Sequence, residues 1–233
     1  MSSCVLVTDK SHRLFRDLMV VCRAFFDYVH PLHYEQISGT NDAMKGRDIL
    51  ISIYNERLFS GDQLNCLNFN VHPAPPAYPG RGSATLALFD GVREFGPVAH
   101  RMEAIADAGA IFAANPIPVF DFDNCETLFN RSERAGVDLL TRVLSCYKLE
   151  GDLPKANGMK WERRPMTKKQ FDEWLICDKT NHEEVKRKVR AAKHSIYKGP
   201  YILSDGVKMG LVPFDWPDET VSVAGFHFSK DAV

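Results

Sequence analysis

Apolar positions along the chain follow two periods. Cys4-Val5-Leu6-Val7 is an unbroken apolar run closed by Thr8-Asp9-Lys10, the pattern of a strand buried on both faces. From His12 to Val29 the spacing becomes helical, with Leu14, Leu18, Met19, Cys22 and Phe26 on one wide face. A strand feeding directly into a helix opens a βαβ unit. The stretch from His30 to Arg47 contains Pro31, Gly39 and Gly46 and predicts at most one edge strand and a loop. Ile49–Tyr54 and Leu67–Val71 are two further apolar, strand-length runs.

The densest cluster of prolines and glycines follows at once: Pro73, Pro75, Pro76, Pro79, Gly80 and Gly82. It predicts a stiff, irregular loop at the carboxyl end of a parallel strand, which is where open α/β sheets place their sites. Ser83 is placed to cap a helix reaching Phe89. Pro97–Met102 and Ile111–Phe120 read as further strands, and Asn124 precedes a long helix over 126–147. Beyond Gly151 the character changes. Thr167 has the chemistry of a helix N-cap, and Asn181 with Glu184 has the spacing of a capping box for a helix running to Lys193. Tyr201–Val212 alternates around Asp205-Gly206, a strong hairpin signal. The pattern therefore predicts an α/β core with a mostly parallel sheet over residues 1–150, and a small helix and β-hairpin extension over 151–233.

Composition narrows the function. In 233 residues, 29 Lys and Arg balance 30 Asp and Glu, so the basic excess expected of a nucleic-acid binder is missing. The one basic stretch, Lys186-Arg187-Lys188 with Arg190 and Lys193, reads as a solvated helix face. There is no run of about 18 apolar residues, and the amino terminus lacks the charged and apolar regions of a secretory leader. The six cysteines are scattered, none at C-x-x-C spacing, as expected of thiols in a reducing cytoplasm.

Most catalytic signatures are absent. Thr8-Asp9-Lys10-Ser11-His12 follows the first strand where a dinucleotide fold would carry G-x-G-x-x-G, and neither a P-loop nor G-x-S-x-G is present. His30 and His33 lack the further ligands of a metal site. His100, His182, His194 and His227 have no distinctive surroundings in sequence and read as ordinary packed or loop histidines. His72 differs. It ends an apolar strand, and Asn70, two residues earlier, projects from the same face. An amide donor beside an imidazole suits acyl transfer, in which an oxygen gains charge and a proton must move. Asp107, 35 residues further on, is a carboxylate able to orient an imidazole. Each of these residues alone is more often structural than catalytic.

Together they carry a resemblance. Asn70-Val71-His72-Pro73, the loop from Pro75 to Gly82 and Asp107-Ala108-Gly109 resemble, in order and spacing, the formyltransferase family that uses N10-formyltetrahydrofolate. The likeness is close over residues 49–120. Gly96–Met102, Trp161, Thr167-Lys168-Lys169 and Arg190-Ala191 resemble its sugar N-formyltransferase branch. Ala106 and Ala108 depart from the residues many members carry beside the aspartate, and the first strand lacks the glycine-rich turn of many relatives.

The resemblance implies a Rossmann-like formyltransferase core and direct formyl transfer from N10-formyltetrahydrofolate to the amine of a nucleotide-linked 4-amino-4,6-dideoxy sugar. The best match is dTDP-4-amino-4,6-dideoxyglucose, made for O-antigen or a similar surface glycan. It implies Asn70, His72 and Asp107 as the catalytic group. In it Asn70 and a protonated His72 steady the oxyanion, Asp107 holds His72 and raises its pKa, and His72 or a water held by His72 and Asp107 takes the proton from the attacking nitrogen. Tyr54, Asn55, Arg57 and Gly109 would meet the folate. Tyr78, Arg81, Trp161, Lys168 and Lys169 would meet the nucleotide-sugar. No metal is implied. Phosphoribosyl-glycinamide and methionyl-tRNA are alternative acceptors, and a non-catalytic folate or nucleotide-sugar binding module is a third reading. The 201–212 hairpin has an edge that could pair with a second copy or pack on its own chain.

Overall fold

A computed structural model describes residues 1–36, 45–55, 58–59, 61–195, 199–205, 207–212, 220–223 and 226–229. It divides the chain into two units that interleave along the sequence. The first comprises Met1–Pro79, Gly96–Ile117 and Arg131–Pro165, and the second Gly80–Phe95, Pro118–Asn130 and Met166–Val233.

The first unit is built on a six-stranded sheet. Its strands are β1 (Ser3–Val7), β2 (Tyr28–Leu32), β3 (Ile49–Ile53), β4 (Leu67–His72), β6 (Val98–His100) and β7 (Ile111–Ala114), in the order β2-β1-β3-β4-β6-β7. β5 (Glu94–Phe95) and β8 (Ile117–Pro118) form a separate short ladder. β1 to β4 run parallel, β6 runs antiparallel to β4, and β7 runs antiparallel to β6. All five residues of β1 and of β3 are buried, which is why their sequences read as unbroken apolar runs. Alternation divides them between two cores. Cys4, Leu6, Ile49, Ile51 and Ile53 face α1 (Phe15–Phe25) and the later turns of α3 (Cys125–Glu150). Val5, Val7 and Leu50 pack with Leu32, Phe59 and Met102 on the other side.

The expected mostly parallel α/β sheet and the hairpin are thus present, with adjustments. The helical spacing from His12 to Val29 yields a helix that stops at Phe25, and Tyr28 to Leu32 becomes the edge strand β2. Ser83 is the first turn of α2 (Ser83–Asp90), not its cap. Gly82, at φ 73°, takes the cap position without a side-chain hydrogen bond.

The second unit holds α2, α4 (Lys168–Trp174), α5 (His182–Ala191) and an antiparallel sheet of β11 (Thr220–Val223), β12 (Phe226–Ser229), β10 (Val207–Val212) and β9 (Tyr201–Ser204), in that order. Thr167 caps α4 with a full capping box to Gln170, and the Asn181 side chain accepts from the Glu184 amide to start α5. Asp205, at φ 51°, makes the turn between β9 and β10.

The basic stretch on α5 is not a uniformly solvated face. Lys188 is 5% exposed. Its Nζ donates to the Ile176 carbonyl at 2.9 Å, pairs with Glu184 at 2.8 Å and lies 4.9 Å from the Trp174 ring centre. Arg187 lies over Phe89 and donates to its carbonyl, and Arg190 donates to the carbonyl of Asp121. These cations staple the unit together.

Candidate active site

β4 supplies the first two groups. Leu67, Phe69 and Val71 enter the core, so Asn68, Asn70 and His72 share the opposite face. Asn68 is an anchor. Its amide donates to the carbonyls of Leu64 and Cys66, and its oxygen accepts from the Met102 amide at 2.9 Å. That contact holds the chain leaving β6 beside β4.

The loop between β6 and β7 brings the carboxylate. The Arg101 amide donates to the Ala110 carbonyl at 3.0 Å and closes the loop. A Cβ on Gly109 would stand 1.9 Å from the Arg101 carbonyl oxygen, so no larger residue fits this crossing. Asp107 adopts φ 45°, a left-handed conformation that Asp tolerates better than most residues. Its carboxylate reaches two imidazoles. Oδ2 lies 3.4 Å from His72 Nδ1, and Oδ1 lies 3.5 Å from His100 Nε2.

His100 is the residue that sequence reading missed. It sits directly across the ladder from Asn70, and Asn70 Nδ2 is 3.1 Å from its Nε2. No spacing rule marks it. The signal lies in the register of β6 on β4, which emerges only on folding.

The chemical form of His72 follows from its neighbours. Nε2 lies 3.3 Å from the Tyr78 carbonyl, which can only accept, so Nε2 carries the hydrogen of the neutral ring. Nδ1 then presents its lone pair toward Asp107. Burial is the strongest influence on this ring and pulls its pKa below the ordinary histidine value. Asp107 and the Tyr78 carbonyl push it up, and His100 adds to the lowering. The net direction is down. Asp107 raises the His72 pKa, as expected, but desolvation exceeds that pull, so the expectation of a ring held protonated is corrected. The resting ring is neutral near pH 7 and can accept a proton.

A strap of chain covers these groups. The Asn157 amide donates to the Ile111 carbonyl and the Glu162 amide to the Pro76 carbonyl. Between them Trp161 sets its ring edge-on to both imidazoles, at centroid distances of 5.7 Å from His72 and 5.0 Å from His100. Arg163 lies over the Tyr78 ring at 4.7 Å.

The structure thus gathers Asn70, His72, Asp107, Gly109, Tyr78 and Trp161 in one neighbourhood. Gly109 meets it through its backbone, with its carbonyl accepting from Trp161. Tyr78 is 5% exposed, and its carbonyl faces His72. Tyr54 and Asn55 follow β3. The Tyr54 hydroxyl donates to the Glu133 carbonyl, its ring lies tilted against His12, and burial drives its pKa up. Asn55 donates to the Ser52 hydroxyl at 3.4 Å. Arg57 lies outside the described residues. Arg81, Lys168 and Lys169 belong to the second unit, where Lys168 pairs with Asp172 and Lys169 with Glu173. His33 pairs with Asp9. Among the described residues no group of three or more His, Cys, Asp or Glu is placed to hold a metal ion, and no helix is long and apolar enough to cross a membrane.

Residues 55–144 match the family model described as formyl transferase. That span contains Asn70, His72, His100 and Asp107. Solved structures share the fold. A 4-N formyltransferase from Francisella tularensis is 18% identical, with a TM-score of 0.74 over 91% of this chain and 96% of that one. A sugar N-formyltransferase from Shewanella sp. FDAARGOS_354 is 16% identical, with a TM-score of 0.73 over 91% of this chain and 97% of that one. HypX from Aquifex aeolicus, solved in complex with tetrahydrofolic acid, is 17% identical, with a TM-score of 0.70 over 95% of this chain and 39% of that one. At these identities the likeness is one of fold, and it bears out the expected α/β core with a mostly parallel sheet.

Proposed function

We propose that this chain transfers a formyl group from N10-formyltetrahydrofolate to the amine of a nucleotide-linked amino sugar. The observation that carries this reading is the convergence of Asn70, His72 and Asp107 within the formyl transferase span. The chemistry of the group fits. Asn70 offers amide hydrogens to an acyl oxygen that gains charge as the amine nitrogen attacks, and such donors are typically worth about 3–4 kcal/mol. Neutral His72 accepts the proton that the attacking nitrogen must lose, and the Asp107 carboxylate facing Nδ1 stabilises the resulting cation. The half-buried Trp161 beside both imidazoles limits the water that would otherwise hydrolyse the donor.

Support for a sugar amine comes from the motifs around Gly96–Met102 and Trp161 and from the naming of the Shewanella neighbour. The specific acceptor we propose is dTDP-4-amino-4,6-dideoxyglucose, destined for a surface glycan such as O-antigen. The location that goes with this proposal is the cytoplasm, whose reducing conditions suit the six free cysteines.

The test is a product assay by mass spectrometry with N10-formyltetrahydrofolate and dTDP-4-amino-4,6-dideoxyglucose, alongside a His72→Asn variant. A sugar nucleotide heavier by one CO unit, formed by the wild type and lost in the variant, is expected. A wild type inert on this and other amino-sugar nucleotides, yet active on phosphoribosyl-glycinamide or methionyl-tRNA, would overturn the sugar acceptor. Inactivity on every amine would overturn formyl transfer itself.

A further inference from the structure

His100 is 2% exposed, and the contact at Nδ1 settles which nitrogen carries the hydrogen of its neutral ring. Nδ1 lies 2.7 Å from the carbonyl oxygen of Arg101. A carbonyl only accepts, so Nδ1 carries a hydrogen. In the neutral ring Nε2 then bears a lone pair, and this is the atom that faces Asn70 Nδ2 at 3.1 Å. An asparagine amide has a donor edge and an acceptor edge, and its neighbours decide which way it lies. A lone pair in front of Asn70 selects the donor edge, because the reversed amide would set two acceptors face to face. One Nδ2 hydrogen goes to His100, and the other remains for a ligand.

We propose that His100 is a positioning residue: as its neutral Nδ1–H form it fixes the Asn70 amide so that a hydrogen, not the amide oxygen, meets the acyl oxygen of the substrate. This rests on the formyl-transfer reading above. It explains why a second buried histidine stands opposite Asn70. An unguided Asn70 would spend part of its time presenting Oδ1 to an oxygen gaining negative charge, which repels where it should stabilise.

The groups facing the ring define how the device fails. Asp107 approaches Nε2 from the β6–β7 loop at 3.5 Å, and His72 approaches from β4 by way of the same carboxylate. Trp161 meets it from the strap in a T-shaped contact, 5.0 Å between ring centres. The Arg101 guanidinium is turned away, toward the Asn68 carbonyl and Asp152. A proton added to His100 makes Nε2 a donor to Asp107 and to Asn70 Oδ1, so the amide turns over and the acyl oxygen loses its donor.

Nitrogen-15 NMR of the full chain with labelled histidine tests the tautomer without any substrate. One imidazole, assigned by its disappearance in His100→Gln, should show Nδ1 protonated and Nε2 bearing a lone pair across the pH range of activity. An Nε2–H tautomer, or a doubly protonated ring throughout that range, would overturn the proposal while leaving formyl transfer untouched. Kinetics supply the second arm. His100→Leu removes the acceptor and should lower kcat by about 10²-fold or more, the scale of losing one oxyanion donor, with KM nearly unchanged. His100→Gln can accept from Asn70 through Oε1 and should recover about tenfold or more of that loss. Equal losses in both variants, or a loss confined to KM, would reduce His100 to packing.

Discussion

Trp161 and Gly109, 52 residues apart, are joined by a single hydrogen bond from the indole Nε1 to the glycine carbonyl at 2.9 Å. The bond ties the strap to the loop that carries Asp107, and it sets the indole edge against both imidazoles. Trp161→Phe keeps an aromatic edge and should cost about 1 kcal/mol of stability, the value of one ordinary hydrogen bond. Trp161→Ala opens the imidazoles to water. Burial is the main cause of the low His72 pKa, so that pKa should rise toward its ordinary value. The acid limb of kcat/KM against pH should move upward in Trp161→Ala and stay in place in Trp161→Phe.

Gly109→Ala tests the loop crossing. The added methyl would stand 1.9 Å from a backbone oxygen, which cannot yield as a side chain would. Overpacking of this kind costs about 1–3 kcal/mol, and a displacement near 1 Å at the site can cost about 10²-fold in rate. Both a lower Tm and a lower kcat are expected. A variant with wild-type rate and Tm would mean that the loop has slack the geometry does not show.

His72 also links stability to pH. Its folded pKa is below the value of about 6.5 that it has in the unfolded chain. Between those two values the unfolded chain binds more protons, so unfolding free energy falls as pH drops through this window, by up to about 1.4 kcal/mol per unit for the one group. Above it the stabilisation is fully present. Thermal melts from pH 7.5 to 5 should show a steeper acid loss for wild type than for His72→Gln. Parallel curves would contradict the direction of the shift.

Lys188→Met separates the structural cations of α5 from its solvated ones. The change leaves the Ile176 carbonyl without its charged donor and should cost about 1.5–3 kcal/mol. That corresponds to a Tm drop of about 3–12 °C for a chain of this size. Lys186→Met, on an exposed pair with Glu183, should change stability by less than about 0.5 kcal/mol.

Much of the fold was legible because its signals are local. The two-sided burial of β1 and β3 is written directly as Cys4–Val7 and Ile49–Ile53. Thr167 and Asn181 start helices through bonds made within three residues. Asn70 and His72 could be paired because alternation along one strand is geometry, not prediction. The helix from His12 was overextended because Phe25, Phe26 and Val29 continue its period, whereas the chain breaks at Phe26 and enters β2. His100 was passed over because its partner lies on another strand, and cross-strand register is not a spacing within the sequence. The charge state of His72 was misjudged for a related reason. A motif shows the carboxylate that raises a pKa and hides the burial that lowers it.

The antiparallel seam between β4 and β6 also decides which chain-length changes the site tolerates. Asn70 meets His100, Val71 meets Ala99 and His72 meets Val98, so the arrangement is encoded as a register. One residue inserted at the exposed turn around Gly91 leaves that register intact, because the connection there only has to be long enough. Deleting Ala99 would move His100 onto the core-facing position of β6 and bring Arg101 opposite Asn70. Reading-frame-preserving indels should therefore divide sharply in this protein, being silent at the Gly91 turn and destructive over Val98–His100, although both lie between His72 and Asp107 in the sequence.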